Sequence, residues 1–259
     1  MGLEVEGVTV RFGGHTALDN ISLRALDGKV TGLIGPNGAG KTTMFNVITG
    51  LQAPHAGRVV LDGRDVSKLA PYKRARRGMA RTFQRLELFG SLTVRENIHV
   101  AAAQFRRRHR SAERAGTTTD TLVRRLNLGA IAEVRADSLP TGQGRMVELA
   151  RALACRPRIL LLDEPASGQD ESETAEFSRV LRDVAAEGVA VLLVEHDMDL
   201  VMSVCDELHV LDFGKKLAQG TCAEIQADPA VRAAYLGEVD EDLDPAVLAD
   251  PDEALGVSL

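Results

Sequence analysis

The sequence has no tryptophan, two tyrosines and an aromatic share of 3% in 259 residues. Its basic runs, KRARR (residues 73–77) and RRRHR (106–110), contain no interleaved aromatic ring. They therefore lack the stacking platform of a single-strand nucleic-acid binder, and the reading is a solvated face with no nucleic-acid partner. Cysteine is equally scarce. Cys155, Cys205 and Cys222 form no Cys-x-x-Cys pair, which argues against a disulfide framework or a thiolate metal site and predicts reduced thiols. No apolar run approaches the 18 residues of a membrane-crossing helix. The first residues, Met1-Gly-Leu-Glu-Val-Glu-Gly, lack the basic and apolar regions of a secretory leader, so the expected location is cytoplasmic.

What remains is ordinary globular material, 44% apolar and 26% charged, with enough chain for a sizeable core. The charge is uneven. From Glu238 onward there are eight acidic residues and no Lys or Arg, so a chain of net charge −6 has a body of +2. The tail reads as a disordered solubilising segment; its scattered Leu243, Val247, Leu248 and Leu255 leave room for a docking helix or a regulatory clasp.

Along the chain, LEVEGVTVRF and TALDNISLRALDG alternate as antiparallel strands. KVTGLIG (29–35) is a buried strand feeding a Gly-rich loop, and GKTTMFNVITG (40–50) is a helix closed by Gly50. GRVVLDG and GMARTFQ are further strands. Helical periodicity then dominates to about residue 157, broken near SAERAGTTTD. In its last helix Met146, Leu149, Ala150, Leu153 and Ala154 fall on one face. Strands return at RILLLDEP (158–165) and GVAVLLVEHD (188–197), and ELHVLDFGKKLAQG (207–220) reads as a hairpin turning at Phe213-Gly214. Alternating strands and helices predict an α/β sheet, interrupted by a helical subdomain. The expected division is residues 1–89 and 158–237 for the core, 90–157 for the helical subdomain and 238–259 for the acidic tail.

The stretch GPNGAGKTT, Gly35 to Thr43, has the spacing Gly-x4-Gly-Lys-Thr. Small residues let successive backbone N–H groups converge on one anion, and the following helix adds its positive end. Lys41 can reach the β- and γ-phosphates of a nucleotide, and the Thr42 hydroxyl can ligate Mg²⁺. Phosphoryl chemistry also needs a metal-orienting carboxylate and a group that positions water. ILLLDEP supplies Asp163 at a strand end, followed at once by Glu164 as a general base. His196 follows the apolar strand VAVLLVE, at the sheet edge where ligands bind in open α/β folds, which suits a γ-phosphate contact. Gln84 ends GMARTFQ; a neutral amide there could touch both Mg²⁺ and the attacking water, which the residue pattern alone leaves undecided.

Together these residues resemble the ATPase subunit of an ATP-binding cassette (ABC) transporter over about residues 1–237. GPNGAGKTT resembles that family's Walker A, which implies an ATP site of Gly35, Pro36, Asn37, Gly38, Ala39, Gly40, Lys41, Thr42 and Thr43. ILLLDEP resembles Walker B, with Asp163 on the metal and Glu164 catalytic. TFQ resembles the Q-loop, which gives Gln84 a catalytic and metal role. VEHD resembles the switch region with His196, and Ser167 and Asp170 match the D-loop. Phe12 matches the aromatic that stacks on adenine, usually a Tyr. Leu139-Pro140-Thr141-Gly142-Gln143 resembles the signature motif Leu-Ser-Gly-Gly-Gln, which binds the ATP held by a partner subunit. Pro140 suits a first-turn helix position, and Thr141 replaces the usual first Gly.

Leu-Pro-x-Gly-Gln, RTFQRLELFGSLTVREN (81–97), EPASGQDESET and AAYLGE (233–238) further resemble importers of the branched-chain amino acid type, a group that includes urea and short-chain amide importers. Thr141, Gly144 and Met146 depart from its common residues. The implied fold is a P-loop NTPase (RecA-like) core with an N-terminal antiparallel β subdomain and an inserted α-helical subdomain. The implied activity is ATP hydrolysis with Mg²⁺, driving uptake of a small solute. Implied partners are a second ATPase subunit (the same or different), transmembrane permease subunits that hold this cytoplasmic chain peripherally on the inner face of the cell membrane and, indirectly, an extracytoplasmic solute-binding protein. The competing readings are a non-transport ABC ATPase, which usually has two cassettes or a long coiled-coil insertion, and a P-loop kinase or GTPase, which leaves the signature helix and His196 unexplained.

Overall fold

The structure, a computed structural model, describes residues 2–108 and 118–236. The polar break expected at 111–120 lies largely outside these residues, and the acidic tail wholly so. Strands β1 (Gly2–Phe12), β2 (His15–Leu26), β4 (Ala56–Leu61) and β5 (Arg64–Asp65) form an antiparallel sheet of order β2-β1-β4-β5. A second sheet has the order β10-β9-β3-β8-β7-β6, built from β3 (Val30–Ile34), β6 (Met79–Arg81), β7 (Ile159–Asp163), β8 (Ala190–Val194), β9 (Glu207–Asp212) and β10 (Lys215–Gly220). It is parallel except for the β9–β10 hairpin. That hairpin turns at Phe213 and Gly214, both with positive φ, as a tight two-residue turn requires.

The continuous apolar runs of β7 and β8 follow from burial on both faces. Leu160, Leu162, Val191 and Leu193 join the core beneath the helices, while Ile159, Leu161, Leu192 and Val194 join Met44, Phe45, Val47 and Ile48 of helix α1 (Lys41–Thr49). The antiparallel sheet closes over α1 through Leu3, Val5, Ile21 and Leu23. As the sequence indicated, α1 ends on Gly50 in a left-handed conformation. GMARTFQ is a strand only as far as Arg81; Thr82, Phe83 and Gln84 leave the sheet as a loop.

A short helix, α2 (Pro71–Ala75), follows β5. Here the solvated reading of KRARR is corrected. Arg74 is 1% exposed and donates to the carbonyls of Val47, Ile48, Ser67 and Leu69 at 2.7–3.0 Å. It thereby satisfies the last turn of α1, whose carbonyls lack helical partners. Burial lowers its pKa from the usual guanidinium range.

Between β6 and β7 the chain is helical: α3 (Val94–Arg108), α4 (Thr119–Arg125) and α5 (Thr141–Ala154), with two single 3₁₀ turns before α5. Val94, Ile98, Leu122, Leu126, Val147, Leu149, Ala150 and Leu153 bury one another. Four more helices complete the described chain: α6 (Glu171–Ala186), α7 (Met198–Val204), α8 (Cys222–Ala227) and, at its end, α9 (Pro229–Leu236).

His209 on β9 is 1% exposed, and among the described residues neither ring nitrogen has a hydrogen-bond partner. Burial pushes its pKa down and the charges of Lys216 and Arg24 add to this, while Glu207 and a polar contact with the Arg24 backbone, too poorly aligned for a hydrogen bond, oppose it. The folded state therefore holds the ring neutral, while the unfolded chain takes up a proton below about pH 6.5. Stability is expected to fall as pH drops below that point. Denaturant titration at pH 7.5 and 5.5 checks it: His209→Leu should lose less stability between the two pH values than the wild type, and equal losses would refute the assignment.

Candidate nucleotide-binding and catalytic site

The Gly-rich loop joins β3, at the centre of the parallel sheet, to α1. Gly40 has φ 105°, and a Cβ there would lie 2.7 Å from Leu18 Cδ2 and 2.8 Å from the Ala17 carbonyl oxygen. Only glycine both adopts that conformation and admits β2 so closely. Lys41 bends back over its loop, donating to the carbonyls of Gly35 and of Pro36, the latter at 2.8 Å. Helix α1 has no acidic residue in its first turn and no side-chain cap, so its positive end is left uncompensated for an anion. Asn37, Gly38 and Thr42 are exposed, Thr43 is half-buried and Ala39 is buried against the core. Phe12, half exposed at the end of β1, sits on the same hairpin that lays Ala17 and Leu18 against Gly40.

Asp163 and Glu164 stand at the C-terminal end of β7, across β8 from β3. Glu164 has φ 48°, a left-handed conformation that is costly for a non-glycine residue and recurs at functional sites. Its backbone N–H is fixed on the Val194 carbonyl at 2.9 Å. The turn aims its carboxylate between two groups from distant segments. Gln84 Nε2 donates to Oε2 at 2.8 Å, and His196 Nε2 lies 3.0 Å from Oε1. The three residues that the sequence singled out as catalytic are thus in direct contact. His196 lies two residues past β8 rather than at its end. Glu195 anchors it: its buried carboxylate accepts from the backbone N–H groups of Ala166 (2.7 Å), His196 (2.8 Å) and Asp197 (3.3 Å). Burial raises the Glu195 pKa, against the opposing effect of those three donors.

Asp163 is buried, and its Oδ2 accepts from Arg81 Nη2 at 2.8 Å. Arg81 also reaches Asn46 Oδ1 at 3.2 Å and lies over the rings of Phe45 and Phe83. Among the described residues no group of three or more His, Cys, Asp or Glu could hold a metal. The donors present still suit Mg²⁺. Thr42, Asp163 and Gln84 offer hard oxygen ligands, and this ion commonly takes one or two carboxylates together with substrate phosphates rather than a protein cage.

The signature residues open α5. Pro140 is the residue just before the helix, one position earlier than a first-turn proline, and Thr141 begins it. Leu139 packs into the helical core. Gln143 is half-buried, and Pro140 and Thr141 are exposed. A Cβ on Gly142 would fall 2.0 Å from Glu173 Oε2, and one on Gly168 would fall 2.9 Å from Thr141 Cγ2. The signature therefore interlocks with the D-loop of its own chain, and Thr141 supplies the methyl that covers Gly168. In that D-loop, Asp170 caps α6 in a reciprocal box with Glu173, and the Ser167 N–H bonds the Glu164 carbonyl at 3.3 Å.

Sequence reasoning passed over Arg81, Glu195, Arg145 and Glu148. The first two adjoin motif residues, which was the available signal; the last two lie inside a helix whose apolar stripe drew the attention.

Comparison with known proteins agrees with this geometry. Residues 18–167 match the family described as "ABC transporter", and residues 215–241 match the one described as "Branched-chain amino acid ATP-binding cassette transporter". The chain is 41% identical to the high-affinity branched-chain amino acid transport ATP-binding protein BraF of Pseudomonas aeruginosa, over 91% of this chain and 98% of that one. It is 39% identical to LivG of Escherichia coli K12, which bears the same description, with the same coverage. The lipopolysaccharide export ATP-binding protein LptB of Haemophilus influenzae is 34% identical over 91% of this chain and 97% of its own. Among solved structures, a nucleotide-free ATP-binding cassette from an ABC transporter superposes with a TM-score of 0.80 at 29% identity, covering 91% of this chain and 99% of that one. The ADP conformation of an ATP-binding cassette gives the same score and identity. The chain belongs to the ABC transporter family as an ATP-hydrolysing ATP-binding subunit.

Proposed function

We propose that this ATPase powers import of branched-chain amino acids, and that Glu164, Gln84 and His196 carry its hydrolytic step. The observation that supports the site reading is the Glu164 carboxylate held between an amide and an imidazole one residue beyond Asp163. Lys41 turns from the carbonyls of its own loop to the β- and γ-phosphates, and the N–H groups of residues 35–43 cradle them. Phe12 stacks on the adenine. Thr42, Asp163 and Gln84 would hold Mg²⁺, which would neutralise developing charge on the phosphate oxygens. Glu164 takes the proton of the attacking water, Gln84 orients that water, and His196 steadies the γ-phosphate.

The signature residues Leu139 to Gln143 bind the ATP of a second ATPase subunit, whether a copy or a different cassette, and Ser167 and Asp170 line the same junction. Membrane permease subunits dock beside Gln84. A cavity of about 500 Å³ lies there, lined in part by Tyr72, Arg76, Phe83, Phe89 and Arg151. Helices α3, α4 and α5, which share one core, move together when the cassettes close. Among the described residues no helix is long and apolar enough to cross a membrane, so attachment to the inner membrane face comes through those subunits. The solute follows from the relatives that import branched-chain amino acids; urea or a short-chain amide is the alternative within the same group. Solute choice itself rests with the permease and an extracytoplasmic binding protein.

Glu164→Gln should keep ATP binding, lower turnover by about 10²-fold or more and trap a closed dimer; wild-type turnover would refute the catalytic assignment. Lys41→Ala should weaken nucleotide binding, read by titration with a fluorescent ATP analogue. Cells lacking this chain should lose uptake of labelled leucine and regain it on complementation. Loss of labelled urea uptake instead would move the solute assignment.

A further inference from the structure

Gln84 sits in an irregular loop whose side chains from Phe83 to Glu87 are all exposed. Such a loop needs an external anchor to hold an amide 2.8 Å from a carboxylate. One end is fixed to the sheet, where the Thr82 N–H bonds the Leu161 carbonyl at 3.0 Å. Its far end is tied to α3, where Asn97 pairs with the Phe89 backbone at 3.0 and 3.1 Å; between these two ends the backbone of residues 83–87 is held by α5. Arg145, in the second turn of α5, donates from Nη1 to the Phe83 carbonyl at 2.7 Å and from Nη2 to the Gln84 carbonyl. Glu148, one turn on, accepts the Glu87 N–H at 2.7 Å. Arg151, a further turn along, donates to the Glu87 carbonyl and lies over the Phe89 ring at 4.8 Å. Arg145 and Glu148 pair at 3.1 Å, each with a side chain only 5% exposed.

A buried ion pair is a poor source of net stability, because desolvating two charges offsets most of their attraction; its best-attested use is to fix a register. The planar fork of Arg145 suits that role, since it holds two successive carbonyls on two nitrogens fixed in one plane, a geometry that a freely rotating ammonium does not impose. The same helix begins with the signature residues, and Glu87, Glu148 and Arg151 line the cavity beside the loop.

We infer that Arg145, braced by Glu148, is a positioning residue for hydrolysis: it makes the Gln84 backbone an extension of the signature helix, so that α5 sets whether Gln84 reaches Glu164. This rests on the reading that Gln84 serves the hydrolytic step. Movement of α5, whether driven by ATP at its N-terminus or by a segment in the cavity, then carries Gln84 with it. A misplacement of about 1 Å is enough to cost a large part of the rate.

The test is a double-mutant cycle on the full chain with its transporter subunits. Arg145→Met should lower kcat by about tenfold or more and leave the KM for ATP within about twofold. In a Gln84→Ala background the same substitution should lower kcat by less than about twofold further, because its effect runs through Gln84. Arg145→Lys, which keeps the charge but loses the fork, should recover part of kcat. Glu148→Gln, which keeps size and an acceptor, should give a milder loss that is also absent in the Gln84→Ala background; it serves where Arg145→Met fails to fold in thermal melting. Wild-type kcat in both Arg145→Met and Glu148→Gln would overturn the inference, as would losses that multiply fully with Gln84→Ala. Wild-type turnover of Gln84→Ala itself would overturn the catalytic reading of Gln84, and the inference with it.

Discussion

Glu164 holds its carboxylate one residue past the end of β7, in a left-handed conformation, with Gln84 on one oxygen and His196 on the other. Much of the surrounding structure secures that arrangement. Parallel pairing of β7 with β8 puts Asp163 level with Val194, whose carbonyl fixes the backbone of the next residue, Glu164. The buried Glu195 carboxylate gathers three N–H groups, fixing His196 on one side and Ala166 on the other. β6 pairs with β7, so the chain leaves the sheet at Arg81 within reach of Asp163. A strained residue and a carboxylate meeting two side chains persist only where the surroundings over-determine them.

Buried and half-buried arginines do much of the joining. Arg74 closes the C-terminal end of the helix that follows the phosphate loop, Arg81 compensates Asp163, and Arg145 holds the loop of Gln84. In each case a planar donor set meets carbonyls or a carboxylate, and leaving buried polar groups of that kind unpaired is costly. These contacts link segments far apart in sequence: α2 to α1, β6 to β7, and the residue 83–87 loop to α5. Glu148 shows the cost of such a connector, since burial raises its pKa although Arg145, Arg151 and the Glu87 N–H all favour the ionised form.

The signature and D-loop form a second junction. Thr141 covers Gly168, and Glu173 covers Gly142 while sharing a capping box with Asp170. In place of the signature's common glycine, Thr141 supplies the methyl for that contact. The start of α5 is therefore tied to α6, and its second turn to the loop of Gln84. One helix thus touches both the turn that precedes α6 and the loop that carries Gln84 to the Glu164 carboxylate.

The sequence by itself determined the elements whose cause is local. Gly-x4-Gly-Lys-Thr after an apolar strand specifies a phosphate-type loop, because small residues there free consecutive N–H groups at a helix start. Continuous apolar runs dictate sandwiched strands, and Gly50 and Phe213-Gly214 dictate a helix end and a hairpin turn. Asp163, Glu164 and His196 were legible because each follows such a run. Tertiary structure alone decided that Gln84, Glu164 and His196 share one carboxylate, since three segments separated by dozens of residues converge there through strand order. It likewise decided that Arg74 is buried despite its basic neighbours and that Arg145 is bound to carbonyls some 60 residues earlier in the chain. A hydrogen bond of that span leaves no period or spacing in the sequence; it exists only once packing has brought its two ends together.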